Sequence, residues 1–452
     1  MKIIIVGCGK VGSTLAEQLS AEDNDIVAVD LDGELVQELA DNLDIMGVVG
    51  SGTNHKVLLE AGVEEADLLI AVTGSDELNL LCCLIAKKAG DCQTIARVRN
   101  PEYSMESGYI KEELGLAMVI NPEFAAAEEI SRILRFPSAI KIETFAKGRV
   151  ELLKFRIPAG SALGFMKVQD IINKLRCDVL VCTVERGDQV SIPGGNFELR
   201  EKDVVSIIAQ PKEAAQFFKK IKVQTNQVHD TMIIGGSKLA YYLTLRLLAM
   251  GIDVKIIEKD RHRCEELSEL LPKATVICGD AVEKELLQEE GLEHADSVVT
   301  LTNLDEENIL LSLYAQKISK AKVVTKINGI AFDEVINTLD LDTIVYPRYV
   351  TSETIIRFVR AMKNSIGSNV ETLYRLVNNK VEALEFQIVR TDSRLSRPLE
   401  ELSLKKNLLI GCIYRNGRMI IPRGQDTMQQ GDKVIVVTTT PGLQDISDIL
   451  AD

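Results

Sequence analysis

The strongest constraint on the fold is an internal duplication that spans the chain. Sliding the sequence by 229 positions lays Gly50–Leu81 over Gly279–Leu310, and 12 of the 32 paired residues are identical. Unrelated windows of that length would share about two, so the pairing marks a true repeat. Matches include Gly62 with Gly291, Asp67 with Asp296, Thr73 with Thr302, Asp76 with Asp305 and Asn79 with Asn308. A shift of 228 brings MKIIIVGCGKVG over the segment ending MIIGGSKLA, and Asp30 over Glu258. Further on, Pro122 and Arg132 fall on Pro347 and Arg357, and more faintly Pro193 and Asp203 on Pro422 and Asp432. Two copies of a larger and a smaller domain follow, with expected bounds 1–135, 136–225, 226–365 and 366–452.

Within the first large domain, short β-branched runs (Lys2–Val6, Ile26–Asp30, Leu68–Thr73, Thr94–Val98 and Met118–Ile120) alternate with helical patterns at Val11–Ala21 and Leu78–Ala89. That alternation predicts βαβ crossovers and a parallel sheet. The small domains read differently. Alternating stretches such as Glu151–Ile157 and Val204–Ala209, with turns at Arg186-Gly187 and Pro193-Gly194-Gly195, predict a compact α+β unit. The fold class expected is α/β: two tandem units, each a parallel-sheet domain followed by a small α+β domain. After Pro122, apolar residues at 124, 127, 130, 133 and 134 predict an amphipathic helix. Its simplest reading is packing on its own domain; a dimer interface is the alternative.

Charge narrows the function classes. With 52 Lys plus Arg against 67 Asp plus Glu, the formal charge is −15. This argues against nucleic acid and against an anionic lipid surface, both of which are bound through basic groups. Basic surfaces of a partner protein stay open. No apolar run approaches the ~20 residues that span a bilayer, and the N-terminus carries no signal-peptide pattern. The nine cysteines form no CxxC pair and no metal spacing, and the four histidines are scattered. The cysteines read as small buried hydrophobes in a reducing cytosol.

The chemistry-bearing motif comes directly after the first strand. KIIIV runs into Gly7-Cys8-Gly9-Lys10-Val11-Gly12 and then an amphipathic helix, and Asp30 follows 18 positions after Gly12 at the end of DIVAVD. In this context the first glycine permits the turn, the second lets backbone approach a pyrophosphate, and the third lets helix pack on strand. The helix N-terminus supplies free N–H groups for phosphate. Asp30 accepts hydrogen bonds from ribose hydroxyls and repels a 2′-phosphate, which favours NAD over NADP. Thr73-Gly74 and Arg97 end strands at the same carboxyl edge, where open α/β sheets bind ligands, and Gly50-Ser51-Gly52-Thr53 is placed to close over an adenosine.

The second copy departs from the pattern. Gly235-Gly236-Ser237-Lys238-Leu239-Ala240 keeps the first glycine, while Ser237 and Ala240 replace the others. Ser237 is expected to push a side chain towards the pyrophosphate. Glu258 replaces Asp30, and Lys326 stands where Arg97 was. Neither copy shows the acid–base constellation a dehydrogenase needs beside its nicotinamide, so the nucleotide reads as a signal and not as a reactant. An NAD-dependent oxidoreductase with a duplicated fold and a ligand-free adaptor are the competing readings.

The duplicated order GCGKVG…Asp30…GSGTN…ADLLIAVTGSDELN…IARVRNPEY…INPEFAAAEEI, answered by GDAVEKELL and ADSVVTLTNLDEEN, resembles the TrkA family of peripheral subunits of bacterial Trk potassium-uptake systems. The resemblance implies two RCK (KTN) units per chain and a homotetrameric ring on the cytosolic face of the membrane. It also implies a TrkH- or TrkG-like channel partner, gated by NAD(H) and by ATP or ADP. By position it assigns the nucleotide to Gly7, Cys8, Gly9, Lys10, Val11, Asp30, Thr53, Thr73, Gly74 and Arg97, beside Gly12 of the glycine motif. In the second half it assigns Gly235, Gly236, Ser237, Lys238, Leu239, Glu258, Asp280, Thr302 and Asn303.

Overall fold

The structure is a computed structural model that describes the chain apart from residues 23, 102, 104–105, 137–138, 147–148, 188, 222–227, 330–335, 337–338, 365–369, 377–379, 390–394, 441, 444 and 452. The expected domain bounds at 225/226 and 365/366 lie outside the described residues. Two compact units form: Met1–Ser131 with His229–Ile356, and Arg132–Val228 with Arg357–Asp452. Like domains therefore pool with like across the repeat.

The first unit holds two parallel six-stranded sheets. Strands β1 (Lys2–Val6), β2 (Asp25–Asp30), β3 (Met46–Val49), β4 (Leu68–Ala71), β5 (Gln93–Arg97) and β6 (Met118–Ile120) stand in the order β3-β2-β1-β4-β5-β6. This is the doubly wound order whose ligand crevice lies where the winding reverses, between β1 and β4. The strands are continuous apolar runs, as both faces are covered by crossover helices; Ile3 and Ile4 are wholly buried. The helices begin at Lys10 and Asp76, slightly ahead of the sequence reading.

The helix Pro122–Arg135 touches its own domain, where Glu123 pairs with Arg99, and the second copy as well. Asn121 Nδ2 donates to the Tyr242 hydroxyl at 2.9 Å, and the Phe124 and Tyr242 rings meet edge-on at 5.7 Å. Arg246 donates to Glu128 at 2.5 Å and lies over the Phe124 ring. These partners belong to helix Lys238–Ala249 of the second copy, so this end of the helix takes part in an interface inside one chain.

The second unit holds two antiparallel sheets. In the first copy β7 (Ala139–Phe145), β8 (Val150–Arg156), β9 (Val179–Arg186), β10 (Gln189–Ser191) and β11 (Val204–Ala209) run in the order β10-β9-β11-β8-β7. The second large domain supplies β12 (Asp230–Ile234), β13 (Asp253–Glu258), β14 (Thr275–Cys278), β15 (Ser297–Thr300), β16 (Lys322–Lys326) and β17 (Thr343–Val345), ordered β14-β13-β12-β15-β16-β17 as in its twin. The last sheet, β18 (Val370–Leu376), β19 (Val381–Gln387), β20 (Leu408–Arg415), β21 (Arg418–Ile420) and β22 (Lys433–Thr438), repeats the small-domain order. Phe145, Leu152, Cys182 and Ile208 share one buried cluster with Tyr374, Ala383, Cys412 and Val437. Gly411 also sits there, where a Cβ would stand 2.6 Å from Ile208 Cδ1 and push that side chain aside.

Each small domain carries one Arg–Asp fork, which explains the faint match of Asp203 with Asp432. Arg186 Nε and Nη2 donate to the two Asp203 oxygens at 2.8 Å, and Arg415 repeats this on Asp432 at 2.7 Å. Burial alone would raise the Asp203 carboxyl, but the guanidinium and the Arg200 N–H hold it below its usual range. A folded-state pKa below the unfolded value of about 3.9 stabilises fully above that pH and is lost as pH falls through the folded value. Thermal midpoints measured from pH 5 to pH 2 should therefore drop more steeply in the wild type than in an Asp203→Asn chain. Parallel profiles would show that the fork adds no acid sensitivity.

Candidate functional site

The first site is built by backbone. Val6 ends β1, and Gly7 turns the chain at φ 101° with no room for a Cβ, which would lie 2.8 Å from the Thr73 nitrogen. Gly9 precedes helix Lys10–Ser20 without a side-chain cap, and a Cβ on it would meet nothing within 4 Å. Its open face leaves unpaired helix N–H groups and the positive end of the dipole towards the cavity. Gly12 turns inward, where a Cβ would fall 1.8 Å from the Gly7 carbonyl oxygen.

Asp30, at the end of β2, is tied into this loop. One carboxylate oxygen accepts the Cys8 N–H at 2.6 Å and the other the Asp32 N–H at 3.1 Å. Cys8 itself is buried, and burial together with Asp30 pushes its thiol up to about 12. Cys8 thus supports the site through its backbone, and neither its side chain nor Gly12 lines the cavity.

The far wall rests on two residues present in both copies. Asn79, fully buried, accepts the Thr73 N–H at 2.7 Å and hydroxyl at 2.8 Å, and donates to the Arg97 carbonyl at 2.9 Å. Asn308 repeats these bonds on Thr302 and the Lys326 carbonyl. Asp76 accepts the Arg99 and Asn100 N–H groups, and Asp305 those of Asn328 and Gly329. These residues hold the ends of neighbouring strands in register, a role the sequence reading missed although their identity in both copies was the available signal. Asn79→Ala leaves a buried N–H and carbonyl unpaired, so a loss of about 1–2 kcal/mol in stability is expected. Urea unfolding checks it; an unchanged midpoint would show that the strand ends need no tie.

Together these elements enclose a cavity of about 500 Å³ lined by Gly7, Gly9, Lys10, Val11, Asp30, Thr53, Thr73, Gly74 and Arg97, of a size that suits a nucleotide. Exposed Leu31 and Leu78 also line it, offering apolar surface to a base. Arg97 donates to the Thr73 carbonyl, and its buried Nε has no acceptor among the described residues. Burial, reinforced by Arg99, pushes the guanidinium down from its ordinary value against the pull of Glu123 and Asp76. A desolvated cation with an unused donor suits an anionic ligand.

The second cavity, about 380 Å³, is lined by Gly235, Gly236, Ser237, Glu258, Asp280, Thr302 and Asn303. Lys238 is exposed and Leu239 buried, and neither lines it. Glu258 accepts the Gly236 N–H at 2.6 Å, and a Cβ on Gly236 would lie 2.9 Å from that same oxygen. The longer acid thus occupies space that the Cys8 side chain takes in the first copy. Ser237 caps its helix, accepting the Ala240 N–H at 3.3 Å. The hydroxyl therefore competes for a helix N–H that a phosphate would use.

Lys326 departs from the sequence reading. It is buried and does not line the cavity; burial pushes its ammonium down, while Asp305 and Glu123 oppose this. Arg263 lines the cavity in its stead and donates to the Gly236 carbonyl at 2.6 Å. Its counterpart in the first copy is Leu35, so the repeat carried no signal for it. Four carboxylates (Glu258, Asp260, Asp280 and Glu307) face two cations (Lys259 and Arg263) here, whereas Asp30 faces Lys10 and Arg97 in the first cavity.

Known proteins agree with this architecture. The TrkA-N domain model matches residues 3–122 and 231–347, and the TrkA-C domain model matches 152–222 and 385–451. The chain is 32% identical over 454 residues to Trk system potassium uptake protein TrkA homolog 1 of Methanosarcina mazei, covering 99% of each. It is 32% identical to the TrkA of Haemophilus influenzae over 440 residues, covering 96% of this chain and 95% of that one. The GsuK channel shares the fold at a TM-score of 0.66 and 17% identity, over 97% of this chain and 77% of that one; a second GsuK structure, bound to NAD, gives 0.64. With its two TrkA-N and two TrkA-C segments matched along nearly its full length, the chain belongs to the TrkA family of Trk potassium-uptake proteins.

Proposed function

We propose that the chain is the nucleotide-sensing regulatory subunit of a Trk-type potassium transporter. NAD(H) occupies the first cavity, and ATP or ADP occupies the second. The observation that carries the reading is the first cavity: a glycine loop open at Gly9, a strand-end acid and a buried guanidinium with an unused donor converge on one crevice. A fold neighbour, the GsuK channel bound to NAD, supports the ligand class. The names of the relatives support potassium transport over the oxidoreductase alternative.

A ligand shifts a ring only through different affinities for two arrangements. Helix Lys238–Ala249 opens at the second glycine loop and carries Tyr242 and Arg246, which grip Asn121, Phe124 and Glu128 of the first copy. A phosphate that draws this helix therefore moves the first copy with it. The subunit acts as a ring, most simply a homotetramer, peripheral on the cytosolic face beside a TrkH- or TrkG-like membrane subunit. Its charge of −15 suits the Lys and Arg excess of cytoplasmic channel loops. Among the described residues no helix is long and apolar enough to cross a membrane.

A thermal-shift panel of NAD, NADH, NADP, ATP and ADP tests the ligand assignment, since a ligand at 100 times Kd adds about 2.7 kcal/mol. Flux through the reconstituted membrane subunit, with and without the stabilising nucleotide, tests the regulation. No stabilisation by any adenine nucleotide would favour a ligand-free adaptor. Sustained NADH oxidation with a carbonyl substrate would favour the enzyme.

A further inference from the structure

Eight of the nine cysteines are buried, and Cys278 alone is exposed. It ends β14 directly before Gly279 and Asp280, both of which line the second cavity. In the parallel register Cys278 stands opposite Glu258 on β13. Helix Arg261–Leu270 brings Cys264 onto the same place, with its Sγ 3.1 Å from the Glu258 carbonyl oxygen. Cys264 and Cys278 thus both stand against Glu258, and burial, reinforced by Cys278, pushes the Cys264 thiol up to about 12. The first copy has Val36 and Val49 at these places, so the pair belongs to the second copy only. The other cysteines are buried.

We propose that Cys264 and Cys278 form a reversible disulfide, an oxidation site on the rim of the second cavity, with a peroxide as oxidant. The exposed Cys278 thiolate attacks the peroxide; its S–O bond forms as the O–O bond breaks, giving a sulfenic acid and water after protonation. The Cys264 sulfur then attacks the Cys278 sulfur. The S–S bond forms, the S–O bond breaks, and the departing hydroxide takes the Cys264 proton as water. Two thiols are oxidised, one peroxide is reduced to two waters, and a dithiol restores the pair by exchange. Cys278 is exposed and Cys264 buried, so Cys278 reacts first. Closing the bridge draws the end of β14 against helix Arg261–Leu270 and moves Gly279 and Asp280 with it. The bridge stands on the cysteines alone, whereas its effect on a nucleotide rests on the reading of the second cavity given above.

The test uses the reduced full chain, exposed to stoichiometric hydrogen peroxide, alkylated and mapped after trypsin. Cleavage after Arg263, Lys273 and Lys284 separates the two cysteines, so the bridge appears as peptide 264–273 joined to 274–284, about 2 Da lighter than their sum. The other seven cysteines are recovered alkylated, and dithiothreitol abolishes the joined species. In Cys264→Ser chains Cys278 stops at the sulfenic acid and takes up dimedone. Sulfinic acid on wild-type Cys278, or chains linked Cys278 to Cys278, would overturn the proposal. ATP titration of reduced and oxidised chains reads the consequence separately, with affinity at the second cavity falling about five-fold or more on oxidation. Equal ATP affinities with the bridge formed would overturn the coupling, and no ATP binding to the reduced chain would overturn the nucleotide reading while leaving the bridge in place.

Discussion

Calorimetric titration of an Asp30→Ala chain with NADH should show the affinity of the first cavity lowered by about 1.5–3 kcal/mol, the range for hydrogen bonds to a charged group. The two carboxylate oxygens already accept the Cys8 and Asp32 N–H groups. A carboxylate has about four acceptor sites, so lone pairs remain for both ribose hydroxyls. Removal deletes those bonds and also releases the Cys8 N–H, which loosens the glycine loop where phosphate is received. Asp30→Asn keeps one acceptor oxygen and adds a donor, so its loss should fall between the wild type and the alanine chain. A preserved urea midpoint would confirm that the alanine chain is folded. Unchanged NADH affinity in that folded chain would remove Asp30 from the site.

The second large effect is an asymmetry between the cavities. NADH should bind the first more tightly than the second by about 1–3 kcal/mol, as expected when hydrogen bonds to phosphate go unmade, and the second should prefer ATP or ADP. Three features lower NADH affinity in the second cavity. Gly9 leaves the helix N–H groups free, whereas the Ser237 hydroxyl already accepts one of them. Arg97 keeps an unused donor, whereas Arg263 is engaged with the Gly236 carbonyl and Glu266. The second cavity also carries four carboxylates against two cations. Because like domains pack together in one unit, the measurement belongs in the full chain. Glu258→Ala weakens the second cavity and Asp30→Ala the first, which assigns the two binding steps of the wild-type chain, and each chain is titrated with NADH and with ATP. Ser237→Gly should narrow the gap at a cost of only a few tenths of a kcal/mol in capping. Equal NADH affinity at the two cavities of the wild-type chain would show that Ser237 is accommodated.

What the amino-acid sequence determines by itself is whatever local periodicity and backbone chemistry control. The duplication, the strand–glycine–helix element at Gly7 to Gly12 and the strand-end acids Asp30 and Glu258 are all legible, because each depends on residues near one another in the chain. Doubly wound order follows from strands alternating with helices, since crossover handedness leaves few topologies open. Only the tertiary structure decides which side chains from distant segments meet. Arg263 enters the second cavity while Lys326, placed there by the repeat, is buried outside it; Cys264 and Cys278 both stand against Glu258; and helix Pro122–Arg135 touches the other copy as well as its own domain. A repeat records equivalent positions in the backbone. Side-chain convergence is set by rotamer, burial and the neighbour's shape, and these differ between two copies packed against each other.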